Sequence, residues 1–168
     1  LFYNIPVRQK SLKSDISEFK HIKDTFIQKA IPFYDKEFHL SHNAKTVYTS
    51  LRSTNPLERI QLFFGQEIAD HLIEFHHDYG DFHIMGYISE PNYFKNSKKF
   101  QFSYVNHRNI FSPTISHAIS MGYQDITPVG QYPLAFLFIQ IPPDLIDVNT
   151  HPTKKEIRIL NESAIHQG

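Results

Sequence analysis

The run Asp147-Val148-Asn149-Thr150-His151-Pro152-Thr153-Lys154-Lys155-Glu156-Ile157-Arg158 is the stretch from which the rest of the chain is best read. Two short extended segments, Leu145–Asn149 and Glu156–Leu160, flank a turn built on His151-Pro152. Proline fixes its own φ and pushes the residue before it out of the helical region. Such a turn presents Lys154 from a stiff loop, as a compact positive charge on a long stem suited to reaching a phosphate. Taken by itself Lys154 reads equally as a solvated surface lysine, the commonest fate of that residue type.

Upstream, Leu134–Ile141 is a nearly continuous apolar run, as expected of a central strand, and Pro142-Pro143 ends it. Phe100–Asn106 reads as a strand with Phe102 and Tyr104 on one face, and Ser112-Pro113 opens a helix to about Gln124 with Ile115, Ala118 and Ile119 on its buried side. Further back, Ile73–His77 and Phe82–Ser89 form a hairpin around Asp78-Tyr79-Gly80-Asp81, and Glu90–Lys99 is a loop. Asn55-Pro56 with Glu58 reads as N-cap, first helical position and capping-box partner of a short buried helix that Gly65 ends; a second short helix follows over Gln66–Leu72. Glu37–His42 and Lys45–Ser50 pair across Asn43-Ala44. Asp15, with Glu18 three residues on, caps a helix whose stripe Ile16, Phe19, Ile22, Phe26, Ile27 and Ala30 is assigned to the core and which stops before Pro32. This order argues for an α+β two-layer sandwich, a mixed sheet with helices on one face. The strand–helix–strand unit over Phe100–Ile141 is ordinarily a right-handed crossover.

The 168 residues suffice for one domain with a real core, and a 40% hydrophobic, 14% aromatic composition is that of a globular chain. Seventeen basic residues balance seventeen acidic ones, so any attraction to nucleic acid must come from a local patch. The absence of cysteine removes disulfides and thiolate metal sites and fits a cytoplasmic setting. No apolar run approaches a membrane span. The chain opens on Leu1 without a methionine or a signal-like segment and reads as part of a longer protein.

Three stretches resemble the MutL family of DNA mismatch repair proteins, in family order. Asp147–Arg158 is similar to the signature DVNVHPAKxEVRF, with Thr150 for valine and Thr153 for alanine. Leu1–Lys13 resembles LFYNxPARxKFLK, with Val7 for alanine and Ser11 for phenylalanine. Val105-Asn106-His107-Arg108 resembles VNGR, with His107 where glycine is usual. The resemblance implies a transducer domain of a GHKL ATPase, with a left-handed βαβ crossover. It makes residues 1–13 the end of the upstream ATPase domain and its connector, and residues 14–168 the transducer. It implies ATP and Mg2+ bound mainly by that upstream domain, with Lys154 reaching the terminal phosphate and Asn149, His151 and Pro152 supporting the loop. The chain alone is then not expected to hydrolyse ATP. The implied partners are the upstream ATPase domain in cis, weakly and non-specifically bound DNA, a mismatch-recognition protein, a downstream nuclease or helicase, and a second copy in an ATP-dependent homodimer. In a bacterium, the location would be cytoplasmic and nucleoid-associated.

Lys95, Lys98 and Lys99 together with His107 and Arg108 make the local basic cluster, a candidate contact for DNA phosphates or simply a solvated loop and strand end. Against DNA contact, Pro113 stands where relatives can carry a basic residue at the helix start. Eleven histidines invite a metal reading, but His39 and His42, and His76 and His77, point to opposite sides of their strands, and no metal site is assigned. Asp147 and Glu156 are expected to orient the lysine loop or to pair with Arg158. No Walker loop, glycine-rich fingerprint or catalytic triad is present in the sequence. Two other readings stay open: a non-catalytic nucleic-acid-binding or interaction module of the same fold, and the transducer of another GHKL enzyme such as a type II topoisomerase or chaperone. The HPxK turn argues against the latter.

Overall fold

A computed structural model describes residues 14–147 and 158–159. The expected connector over residues 1–13 lies outside them. The first helix, α1 (Asp15–Ala30), is capped one residue earlier than expected: Ser14 is extended, and its Oγ accepts the Ser17 N–H. A 3-10 turn, Ile31–Phe33, follows directly. Strands β1 (Phe38–His42) and β2 (Lys45–Ser50) pair across Asn43-Ala44, both at positive φ, as a tight hairpin demands. The stripe of α1 packs on this ribbon. Phe26 stacks on Tyr48 at 5.9 Å and meets Phe38 and Phe63 edge-on. The assignment of the whole stripe to the core is corrected, since Ile16 is 85% exposed and Ile22 50%, and only Ala30 is fully buried. Phe19 between them stacks on His42 with ring centroids 4.0 Å apart.

Helix α2 (Pro56–Phe64) starts as its sequence demands: Asn55 Oδ1 accepts the Leu57 N–H at 2.7 Å and Pro56 takes the first turn, where no N–H is needed. Gly65, at φ 95, ends it and opens the short α3 (Gln66–Asp70). Tyr87 donates from the sheet to the same Asn55 Oδ1 at 2.8 Å, tying the helix start to the core.

The main sheet runs β3 (Leu72–Tyr79), β4 (Phe82–Ser89), β9 (Ala135–Gln140), β6 (Gln101–Val105), β7 (Arg108–Ile110), in that spatial order. The apolar run of β9 is indeed central. It pairs antiparallel with β4 and parallel with β6, while β3–β4 and β6–β7 are antiparallel hairpins. Helix α4 (Pro113–Gly122), capped by Ser112, lies in the connection from β7 to β9. The expected loop 90–99 is partly ordered: β5 (Phe94–Lys95) pairs with β8 (Tyr132–Pro133), and a 3-10 turn spans Lys98–Phe100.

Alternation along the strands divides the core in two. Tyr87, Phe102, Tyr104 and Phe136 pack with Ile31, Ile60 and Ile68, on the face covered by α1, α2 and α3. Val105, Ala135, Leu137 and Ile139 pack with Ile115 and Ile119 of α4 on the other face. Helices expected on one face thus hold for the first three, and α4 covers the opposite one because β9 is apolar on both sides.

Candidate functional site

The end of the sheet at which β6 and β9 finish carries the Val105–Arg108 motif. Asn106 and His107 form the two-residue turn of the β6–β7 hairpin at φ 46 and 64. Both angles are left-handed, which explains a glycine preference at the second position. Here His107 bears the strain and is held by contacts: Nδ1 lies 3.1 Å from the Pro32 carbonyl, and the ring stacks on Phe33 with centroids 5.3 Å apart. Sequence reasoning missed β7, so Arg108, itself exposed, stands at the start of what is an edge strand among the described residues rather than in a loose strand end.

Asn106 does more than turn the chain. Its N–H donates to the Ile139 carbonyl at 2.9 Å, its Nδ2 donates to the Ile141 carbonyl at 2.8 Å, and its Oδ1 accepts the Ile141 N–H at 3.0 Å. Past Ile141 come Pro142, the 3-10 turn Pro143–Leu145, and the strand β10 (Ile146–Asp147). Strand β10 pairs antiparallel with β11 (Arg158–Ile159), in the register Ile146↔Ile159 and Asp147↔Arg158. The loop residues Asn149, His151, Pro152 and Lys154, and Glu156 with them, lie outside the described residues. Of the extended flanks expected over 145–149 and 156–160, Ile146–Asp147 and Arg158–Ile159 are described, as this short antiparallel pair.

Beside this end of the sheet is a cavity of about 270 Å³, floored by Met85, Tyr104 and Phe138, with His76, His83 and His107 at its edge. Tyr104 is 1% exposed and its hydroxyl has no hydrogen-bond partner among the described residues. Burial holds that hydroxyl well above the ordinary tyrosine range. His76 pairs with Glu74 at 2.9 Å and His83 with Asp78 at 2.7 Å. Among the described residues no group of three or more His, Asp or Glu is arranged to hold a metal ion.

The basic cluster is not gathered in one place. Lys95, Lys98 and Lys99 precede β6, and His107 and Arg108 follow it, so the length of that strand, roughly 15 Å at about 3.3 Å per residue, separates them. Lys95 sits in β5, with Nζ 3.3 Å from Glu67 Oε1 and 4.6 Å from the centre of the Tyr93 ring. Tyr93, then Lys95, hold the Glu67 carboxyl below its usual range, and the Tyr93 hydroxyl and Glu67 raise Lys95 in turn. Lys98 and Lys99 are exposed and lie over the rings of Tyr132 and Phe100. Pro113 occupies the first turn of α4, as its type favours.

One residue that the sequence reading passed over organises the wall of this region. Arg59 is 1% exposed, and its guanidinium donates to the carbonyls of Tyr34, Lys36 and Leu51 at 2.8–2.9 Å and of Ala30 at 3.4 Å. Burial lowers its pKa while Asp35 opposes that shift. It ties the end of α1, the turn after it and the exit of β2 to α2, and so fixes Pro32, on which His107 rests.

Solved structures of DNA repair proteins share this fold. A crystal structure described as the N-terminal domain of a DNA repair protein superposes with TM-score 0.81 at 28% identity, covering 99% of this chain and 56% of that one. The Aquifex aeolicus MutL ATPase domain complexed with ADP shares the fold at TM-score 0.62 and 21% identity, over 85% of this chain and 50% of that one. The C-terminal domain pattern of DNA mismatch repair proteins matches residues 60–168. The chain belongs to the MutL family of DNA mismatch repair proteins. It is 32% identical over 167 residues to DNA mismatch repair protein MutL of Halothermothrix orenii, and 37% identical over 166 residues to that of Flavobacterium psychrophilum. It covers 99% of its own length in both matches but only 26% and 27% of those relatives. No helix among the described residues is long and apolar enough to cross a membrane.

Proposed function

We propose that this domain is the transducer of a MutL-type mismatch repair ATPase. Lys154 completes the ATP site of an upstream domain that binds ATP and Mg2+, and its contact with the terminal phosphate sets the arrangement of the two domains. ATP then favours a closed, dimerised state, which engages DNA, a mismatch-recognition protein and a downstream nuclease or helicase. The observation that carries this reading is the pairing of Asp147 with Arg158. That pairing brings together the two ends of the run 148–157, which contains the family's HPxK sequence as His151-Pro152-Thr153-Lys154. The paired base anchors both ends of the run that carries Lys154. Family membership and the fold shared with an ADP-bound ATPase domain support the same reading.

Lysine is suited to this role because ADP lacks the group it contacts, so the charge-assisted bond distinguishes the two nucleotides. DNA contact is assigned to Lys98, Lys99 and Arg108, with Lys95 contributing less because Glu67 already pairs with it and with His107 serving chiefly the turn. The test is steady-state ATP turnover by the full-length protein, wild type against Lys154→Ala, with the fold checked by circular dichroism. The proposal requires a large loss with the fold intact. Unchanged turnover would leave a non-catalytic nucleic-acid-binding or interaction module as the better account.

A further inference from the structure

We infer that the cavity beside the β6–β7 turn is a receptor for one arginine side chain presented by another polypeptide. The site is independent of the role given to Lys154. Hydrogen-bond accounting supplies its chemistry. Carbonyl and carboxylate oxygens only accept, so the ring nitrogens that meet them must donate. His107 spends its Nδ1–H on the Pro32 carbonyl at 3.1 Å, His83 its Nδ1–H on Asp78 at 2.7 Å, and His76 its Nε2–H on Glu74 at 2.9 Å. In its neutral form each imidazole is left with one unprotonated nitrogen, which is an acceptor. Asp78 and Asp81 add carboxylates, and among the described residues neither the cavity nor the hollow next to it has a lysine or arginine in its walls. Acceptors gathered without a cation of their own call for a ligand that brings positive charge and several N–H groups.

Shape narrows the ligand further. At about 270 Å³ the cavity falls below the roughly 300 Å³ at which pockets for drug-sized molecules begin, and it suits a single side chain. Its walls carry the rings of Tyr34, Tyr104 and Phe138, and a planar guanidinium packs against aromatic rings better than a strongly hydrated ammonium does. Tyr104 is 1% exposed and its hydroxyl has no partner among the described residues; a guanidinium N–H would supply one. The hollow next to the cavity shares His83, His107 and Gln140 with it and runs out to Pro142 and Pro143. It gives room for the main chain from which the side chain enters, which assigns the ligand to a polypeptide rather than to a free cation. The wall is set before the ligand arrives, because Arg59 holds the Tyr34 carbonyl and His107 rests on Pro32.

The experiment titrates full-length protein, labelled with carbon-13 at its methionine methyls, at about pH 8, where imidazoles are ordinarily neutral. Met85 is on the cavity floor, and its resonance is assigned with Met85→Leu. The probes are N-acetyl-glycyl-arginyl-glycinamide, the same peptide with citrulline (equal in shape and uncharged), and agmatine. The arginine peptide should shift the Met85 methyl saturably, the citrulline peptide should not at the same concentrations, and agmatine should bind more weakly. Gln140→Lys, at an exposed position, places a cation at the rim and should abolish the shift. Asp78→Asn, also exposed, should weaken the peptide roughly threefold or more. An unmoved Met85 methyl, equal binding of the citrulline peptide, or unchanged affinity in both variants would overturn the assignment. Tighter binding of agmatine than of the peptide would overturn the choice of a polypeptide.

Discussion

Replacing Arg59 with methionine tests whether the wall behind the site depends on one guanidinium. The slot is apolar enough to take the methionine chain, because Arg59 is 1% exposed and its guanidinium lies 5.5 Å from the Phe38 ring. The carbonyls of Tyr34, Lys36 and Leu51, 2.8–2.9 Å from Nη2, share its two N–H groups, and these bonds and a weaker one from Nη1 to Ala30 are lost. Bonds to a charged donor contribute about 1.5–3 kcal/mol each, so the two N–H groups of Nη2 give a gross loss of about 3–6 kcal/mol. Relief from burying the charge offsets part of that. The net loss expected is about 2–4 kcal/mol, a large share of the roughly 5–15 kcal/mol that holds a domain together. At about 2–4 °C per kcal/mol for a chain of this size, the midpoint should fall by roughly 4–16 °C. Urea unfolding with an unchanged m-value, compared with Arg59→Lys, provides the assay. Lysine keeps the charge but not the fork and should lie between the two. A loss below about 1 kcal/mol for methionine would refute the reasoning, because the carbonyls would then be satisfied without the guanidinium.

Three further outcomes follow from the same geometry. Tyr104→Phe removes a buried hydroxyl without a partner among the described residues, so urea stability should be unchanged or rise by about 1–2 kcal/mol; a fall beyond about 1 kcal/mol would mean that the hydroxyl is engaged. Burial, and then Glu74, raise the Tyr87 hydroxyl to about 12 in the folded chain, against about 10 when unfolded. A raised folded pKa gives stability that is complete below pH 10 and drains as pH rises toward 12, about 2–3 kcal/mol in all, and Tyr87→Phe should flatten that part of the alkaline unfolding curve. His107→Gly should be nearly neutral in thermal unfolding, relief of φ 64 balancing the lost Pro32 and Phe33 contacts, whereas His107→Ala, which keeps the strain and loses the contacts, should cost about 1–2 kcal/mol; equal effects would contradict the role given to the turn.

The parts of the fold legible in the sequence are those decided locally. Asn55-Pro56 announces α2, Asn43-Ala44 its hairpin, and the apolar run of β9 a strand buried on both faces. The parts that were not legible are tertiary. Arg59 has the pattern of a solvated helix residue until the carbonyls from other segments surround it. β7 is three residues long and follows a turn whose second residue is a histidine, so neither length nor glycine betrays it. Ile16 fits the apolar stripe of α1 but has nothing opposite it among the described residues. For the site, the HPxK run was visible by resemblance alone, while the Asn106–Ile141 clamp joins residues 35 apart and leaves no periodic signal.

The most direct test of the account is the affinity of the full-length protein for a non-hydrolysable ATP analogue and for ADP, with and without Lys154→Ala. A charge-assisted bond to the terminal phosphate contributes about 1.5–3 kcal/mol, so the substitution should weaken the analogue by roughly 10- to 150-fold and leave ADP unchanged. Equal affinities before and after substitution, or an equal loss for both nucleotides, would contradict the assignment of Lys154 to that phosphate.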